Sequence, residues 1–503
     1  MTENLSTVRE EGVLARFFDQ RPVLFLLLLA VVLGFAFQGS RGLYESTEGR
    51  YTECARQSMA AGSLLEPVLN GEHHWTKPPL TYIVIAAGLK LFGENAWGAR
   101  AGLALAFVLT VLAVYLLGGL VWGRRAAPWC GLVYALSPFT LGAANAVSTD
   151  TFLALWQALA ALFFWQALRG GRLAPALLMW GTVGLGFMTK GPVAIMVLIP
   201  VAAACFFMRR HGEKMPRVFH PLGILLFLVV GLTWYVIEIR RHPGLMDYWF
   251  FHETVGRNLY GEFNRNSEFY KPLTVYGPVL LAGSLPWSLL ALWRWRAIPW
   301  PKGVWRRISA WPHSVEWAYI VAGVLGPLLI FCLSTSRLAL YALPLFVPIT
   351  LALGKALDFL VESGAWRKRT LLRVAVVVLC VLVGAKFASS LATSAHDMRV
   401  LGALMKPVMA EYPDHRLMIL EDVPLYGLQF YTGETMTPVE VEDAQEVMKE
   451  VRSTGHPHLV IVKNAKLAKM APQMDMRVYK VRPISKSWSV IVISLPENEG
   501  GGE

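Results

Sequence analysis

The sequence predicts a polytopic α-helical membrane protein with a small C-terminal α/β domain. Three observations predict it. Of 503 residues, 55% are hydrophobic and only 16% are charged, more apolar surface than a soluble protein of this size can hide. Apolar windows of about 17–25 residues recur between positions 22 and 390, and helices satisfy their own backbone polar groups inside a bilayer. Beyond position 391 hydropathy falls, charge rises, and short β-type runs replace the long apolar windows.

Taken in order, hydropathy places about eleven spans, in a total of about 11–13, each near the length that crosses a bilayer. They are 22–40, 99–122, 127–147, 151–168, 174–190, 192–208, 218–239, 272–293, 316–334, 338–359 and 370–390. The first twenty-one residues are too polar for a cleavable signal, so the first span is expected to stay. Arg124 and Arg125, Arg169 and Arg172, Arg209 to Arg217, Arg294 to Arg307, and Arg367 to Arg369 fall in every second connector. That alternation makes their side cytoplasmic, with the N-terminus. It holds only if Leu80 to Gly93 does not span. This run is short and interrupted by Lys90, and it reads as an interfacial helix. The opposite, extracytoplasmic side then receives the long connectors 41–98 and 240–271 and the tail. The chain divides into a membrane module, 1–391, and a domain at 392–503. In that domain 417–420, 458–463 and 488–495 read as strands before a flexible end.

The charge of +12 lies in short connectors, which suits orientation and anionic headgroups and argues against nucleic acid. The five cysteines, Cys54, Cys130, Cys205, Cys332 and Cys380, have no close spacing, so neither a disulfide framework nor a zinc site is expected. His73 and His74 are adjacent and poorly placed to share a helical face. No glycine-rich nucleotide loop is present, and no internal repeat of the kind that builds many transporters.

The first connector is unusually rich for a link between spans. It carries Glu45, Glu48, Arg50, Tyr51 and Glu53, then Lys77-Pro78-Pro79. The topology gathers further polar residues on the same side: Asp150 in AVSTDTF, Lys190 in TKGP, Glu253 and Arg257 in FFHETVGR, and Arg337 and Tyr341 in STSRLALYALP. Ionisable residues at span ends are candidates for function. A carboxylate, Glu48 or Asp150, could take a proton from a hydroxyl, while Arg and Lys side chains hold a phosphate. Each residue also has a plainer reading. Asp150 starts a helix and serves as a cap; Lys77 snorkels; Arg337 anchors to headgroups; Glu48 to Tyr51 form a solvated turn. It is their collection on one side that favours the chemical reading.

The ordered set TEGRYTECARQSM, LNGEHHWTKPPLTY, KLFG, STD, TKGP, FFHETVGR, LPW and SRLALYALPL resembles the ArnT/protein O-mannosyltransferase-like superfamily. These are glycosyltransferases of the GT-C fold that use polyprenyl-phosphate sugars. The resemblance covers about positions 20–390, and the tail also looks like that of ArnT-type relatives. It implies catalytic roles for Glu48 and Asp150. It implies contacts to donor phosphate or substrate for Arg50, Tyr51, Lys77, Lys190, Glu253, Arg257, Arg337 and Tyr341. Thr47 stands where ArnT-like loops carry an aspartate, Thr76 where an acid often precedes the lysine, and Thr254 where a histidine often follows the glutamate. The last two departures weaken a metal site, so no cofactor is required, although a divalent metal is possible.

The resemblance therefore implies transfer of one sugar from undecaprenyl phosphate to lipid A, lipopolysaccharide or a related envelope acceptor, on the periplasmic face of a bacterial inner membrane. Glycosylation of periplasmic proteins is an alternative. A lipid-phosphate flippase is an alternative of another class.

Overall fold

The computed structural model describes residues 13–212, 215, 217–251, 266–294, 314–392, 394–421, 423–439, 456–470 and 480–493. The chain forms two compact units. One comprises Met1–Gln38, Trp75–Thr81 and Arg100–Lys386; the other comprises Gly39–His74, Tyr82–Ala99 and Phe387–Glu503. The sequence division at 391/392 thus differs from the compact units, because most of the first connector packs with the tail.

The first unit is helical. Among the described residues seven helices are long and apolar enough to cross a membrane, or nine if each of two bent pairs is one span. The chain is accordingly a multi-pass membrane protein. The bent pairs are Val13–Gln20 with Pro22–Phe35 and Lys271–Ala282 with Trp287–Trp293. Two local breaks explain the difference from about eleven spans. The window 127–147 divides into Ala127–Ala135 and Pro138–Ala144. Pro138 has no N–H to donate and disfavours helix in the residue before it. Leu173–Arg210 is one run of 38 residues, nearly twice what a ~30 Å apolar layer requires. Its α-helix stops at Lys190, and Gly191 has φ +69°, so the run supplies both windows that the sequence separates at Lys190. Leu80–Phe92 has 13 residues, about 20 Å at ~1.5 Å per residue, and is too short to cross alone.

One buried charge in this unit is matched to orphaned backbone carbonyls. Lys386 sits in the apolar helix Lys368–Ala388. Its Nζ donates to the carbonyls of Leu33 (2.8 Å) and Gly34 (3.2 Å) and to Oε1 of Gln38 (3.0 Å). The first two belong to the last turn of Pro22–Phe35, whose carbonyls have no intrahelical partner.

In the second unit a five-stranded sheet runs in the order Thr437–Pro438, Arg416–Ile419, His458–Lys463, Trp488–Ile493, Lys480–Pro483. The first two pairings are parallel and the others antiparallel. Both faces are covered. Leu417, Ile419, Leu459, Ile461, Val490 and Val492 pack with Met398, Met405 and Leu428, while Met418, Val460, Val462 and Ile491 form a core on the other face. Double coverage explains why these strands read as continuous apolar runs instead of alternating ones.

Close backbone approach fixes the middle of the first unit. A Cβ at Gly354, in Phe346–Glu362, would lie 2.5 Å from Cys130 Sγ and 2.6 Å from its backbone nitrogen. Gly354→Val should therefore destabilise the protein by ~1–3 kcal/mol, the usual range for overpacking. Thermal unfolding in detergent checks this, and an unchanged midpoint would contradict the packing described.

Candidate active site

Asp150 and Lys190 meet because two consecutive helices have similar lengths. Asp150–Gly170 has 21 residues and Leu173–Lys190 has 18, and a short turn through Gly171 (φ +60°) joins them. The hairpin returns the chain so that the first residue of one helix lies beside the last residue of the other. Lys190 Nζ makes a salt bridge with Asp150 Oδ1, and both side chains are buried. Each charge also sits where the helix dipole favours it, an anion at an N-terminus and a cation at a C-terminus. Trp156 Nε1 donates to Thr189 Oγ1 at 2.9 Å and pins the same end. The Lys190 ammonium lies 4.3 Å from the centroid of the Tyr341 ring, within cation–π range.

Lys190 and Tyr341 line a cavity of 280 Å³ together with Lys77. Its walls differ in character. Val193, Met196, Ile330 and Phe331 form an apolar side, and Trp75, Tyr235 and Trp249 an aromatic one. Trp249 Nε1 donates to the Trp75 carbonyl at 2.8 Å, which holds the aromatic side together. Lys77 Nζ donates to the Thr76 carbonyl at 2.6 Å. The sequence marked Lys77, Lys190 and Tyr341, and the structure brings them together. It did not mark Trp75, Tyr235 and Trp249. The signal available was an aromatic directly before the Thr-Lys-Pro-Pro corner.

Arg337 has other partners. It is buried, its Nη1 donates to the carbonyls of Asn266 (2.7 Å) and Glu268 (3.2 Å), and its Nη2 donates to the Cys332 carbonyl (3.0 Å). The guanidinium braces the end of Val315–Leu333 against residues 266–268. Glu253 and Arg257 lie outside the described residues.

Glu48, Arg50 and Tyr51 belong to the second unit, in the helix Thr47–Ala60. Glu48 is buried and doubly held by Arg41, at 2.5 Å from Nη1 and 3.1 Å from Nη2. It also accepts the Tyr44 N–H at 2.9 Å. This two-point grip matches guanidinium to carboxylate geometry and makes Glu48 a brace for the turn that enters the helix. The Arg50 guanidinium lies 5.8 Å from the Tyr51 ring centroid, and Tyr51 packs 5.7 Å from Tyr82. Sequence reasoning missed Arg41. No helical spacing links it to Glu48, because the turn between them is irregular.

The family model for dolichyl-phosphate-mannose-protein mannosyltransferase matches residues 76–236. The undecaprenyl phosphate-alpha-4-amino-4-deoxy-L-arabinose arabinosyl transferases of Pseudomonas paraeruginosa and Pseudomonas aeruginosa strain PAO1 are each 30% identical to the chain. Each match covers 67% of this chain and 60% of the relative, so the chain spans about three fifths of the length of these curated relatives. The crystal structure of ArnT from Cupriavidus metallidurans bound to undecaprenyl phosphate superposes with a TM-score of 0.73. It is 19% identical and covers 96% of this chain and 99% of that one. The chain is similar in sequence to these transferases and shares the fold of the ArnT structure, the GT-C fold. The family-model match begins at the Lys77 corner and contains Asp150, Lys190 and Tyr235.

The buried pair gives a direct prediction. Lys190→Met leaves Asp150 buried without its cation and should cost ~3–5 kcal/mol. Adding Asp150→Asn should recover part of the loss, as neutral pairs do. Unfolding midpoints of both variants test this, and equal losses would show that the two side chains are not coupled.

Proposed function

We propose that the chain is a glycosyltransferase of the inner membrane. It moves one sugar from a polyprenyl-phosphate donor, undecaprenyl phosphate in the first instance, to lipid A or a related envelope acceptor at the periplasmic face. The observation that carries this is the mixed lining of the cavity. It combines Lys77, Lys190 and the Tyr341 hydroxyl, which suit a phosphate, with Val193, Met196, Ile330 and Phe331, which suit a prenyl chain. The relatives named as arabinosyl transferases and the ArnT bound to undecaprenyl phosphate support the reading. So does the alternation of Lys/Arg clusters, which sets the orientation.

The chemistry is a single displacement. The acceptor oxygen attacks the anomeric carbon, and the bond from that carbon to the phosphate oxygen breaks with its electron pair going to the phosphate. The hydroxyl proton passes to the Asp150 carboxylate. Charge develops on the departing phosphate, where Lys77 and Lys190 offset it and the Tyr341 hydroxyl donates a hydrogen bond. Donor binding draws Lys190 toward phosphate and weakens its hold on Asp150, which frees the carboxylate to act as a base. Glu48, doubly bound by Arg41, shapes the first connector, and Arg50 and Tyr51, carried on the same helix, are the residues to which the resemblance gives substrate contacts. Glu253 and Arg257 complete the set the resemblance implies. A single displacement inverts the anomeric configuration.

A second reading takes its support from the family model, whose description names a protein mannosyltransferase. There the acceptor hydroxyl belongs to a periplasmic protein, and the donor site is unchanged.

Lipid A mass spectrometry on cells lacking the gene, carrying it, or carrying Asp150→Asn tests the proposal. A sugar-sized increment should appear with the wild-type gene and fall at least ~100-fold with the variant, the scale of removing a general base. An identical lipid A profile in all three would contradict the lipid A acceptor and point to the protein reading.

A further inference from the structure

The second unit contains a buried carboxylate that the proposed chemistry does not use. Glu45 stands two residues before the helix Thr47–Ala60. Its Oε2 accepts the Gly427 N–H at 2.8 Å, at the start of the tail helix Tyr426–Thr432. Its Oε1 is buried and has no hydrogen-bond partner among the described residues. Two glycines make room for the carboxylate. A Cβ at Gly49 would lie 2.3 Å from the Gly427 nitrogen and 2.7 Å from Glu45 Oε2, and a Cβ at Gly427 would lie 2.9 Å from the same oxygen. The adjoining backbone is fastened to the tail as well. Gly42 N–H donates to Asp397 Oδ2 (2.9 Å), Leu43 N–H to the Tyr431 hydroxyl (3.0 Å), and Met398 N–H to the Leu43 carbonyl (3.1 Å).

We propose that Glu45 is a positioning residue: its buried carboxylate locks the entry of the helix Thr47–Ala60 onto the tail helix Tyr426–Thr432 and so fixes the bearing of Glu48 and Arg50. This deepens the transferase reading and rests on it for its catalytic meaning. The tail then has a definite task, holding the helix that carries two of the candidate residues.

The lock is sensitive to protons. Burial pushes the Glu45 carboxyl up to about 7, opposed by the Gly427 and Tyr426 backbone N–H groups and by Arg50. Among the described residues, Arg50 from the connector helix and Tyr426 from the tail helix are the titratable groups that act on it. A carboxyl raised above its unfolded value of 4.5 gives its full contribution below that value. The contribution declines as pH rises and is lost through about 7, because the folded state holds the extra proton across that window. The lock is therefore tighter at pH 6 than at pH 8.

Hydrogen–deuterium exchange on the full-length protein in detergent reads the lock without any donor. Glu45→Ala should speed exchange about tenfold at residues 44–50 and at 426–430 together, as local opening becomes easier. Glu45→Gln keeps the shape without the charge. It should match wild type at pH 6 and be better protected than wild type at pH 8. Unchanged protection in Glu45→Ala, or the same pH trend in wild type and Glu45→Gln, would overturn the proposal. Transfer assays on the same samples separate the two claims. A wild type that transfers nothing counts against the transferase reading while exchange still judges the lock. If transfer is present, Glu45→Ala should lower kcat with little change in the donor KM; an unaltered kcat would overturn the positioning role.

Discussion

The pair between Asp150 and Lys190 is the interaction on which the first unit depends. Two charges buried in a low-dielectric helical hairpin are tolerable only while they face each other. Matched helix lengths bring them together, the helix ends favour their signs, and Tyr341 lies beside the cation. The Leu173–Lys190 helix stops beside the pair, at Gly191 and Pro192. Gly191 then turns the chain so that Gly191, Pro192 and Val193 line the cavity beside Lys190. A phosphate entering this cavity would compete with Asp150 for the Lys190 ammonium, and the cation would then offset the charge that develops on the phosphate.

The second unit solves a different problem. A long connector at a membrane surface costs conformational entropy if it is to present side chains in one geometry. Here it is ordered by side chains that grip backbone and by arginine forks that grip carboxylates. Arg41 holds Glu48, Arg56 holds Glu53 at 2.6 and 2.8 Å, and Gln57 and Gln429 share Asn70. Most of the connector and the tail form one folded body, which is why the connector cannot be understood as a loop of the membrane module alone.

Much of this was legible in the sequence. The helical membrane class followed from apolar windows, the three main strands from β-branched runs at 417–420, 458–463 and 488–495, and the cavity cluster from Lys77, Lys190 and Tyr341. What was not legible has physical causes. The breaks at Pro138 and Lys190–Gly191 interrupt windows whose hydropathy is continuous. The strands Thr437–Pro438 and Lys480–Pro483 are short, end in proline and carry little apolar signal. Arg337 looks like an anion binder, yet its guanidinium meets the carbonyls of residues distant in sequence. Glu45 looked like one acid among several, and its burial depends on glycines 4 and 382 residues away.

The central claim is that the cavity of Lys77, Lys190 and Tyr341 holds a polyprenyl phosphate. Native mass spectrometry of the purified full-length protein with undecaprenyl phosphate measures this directly, in wild type, Lys77→Ala and Tyr341→Phe. Saturable binding is expected that weakens about tenfold or more in Lys77→Ala, the scale of one charge-assisted contact, and by a smaller factor in Tyr341→Phe. Wild-type affinity in both variants would contradict it.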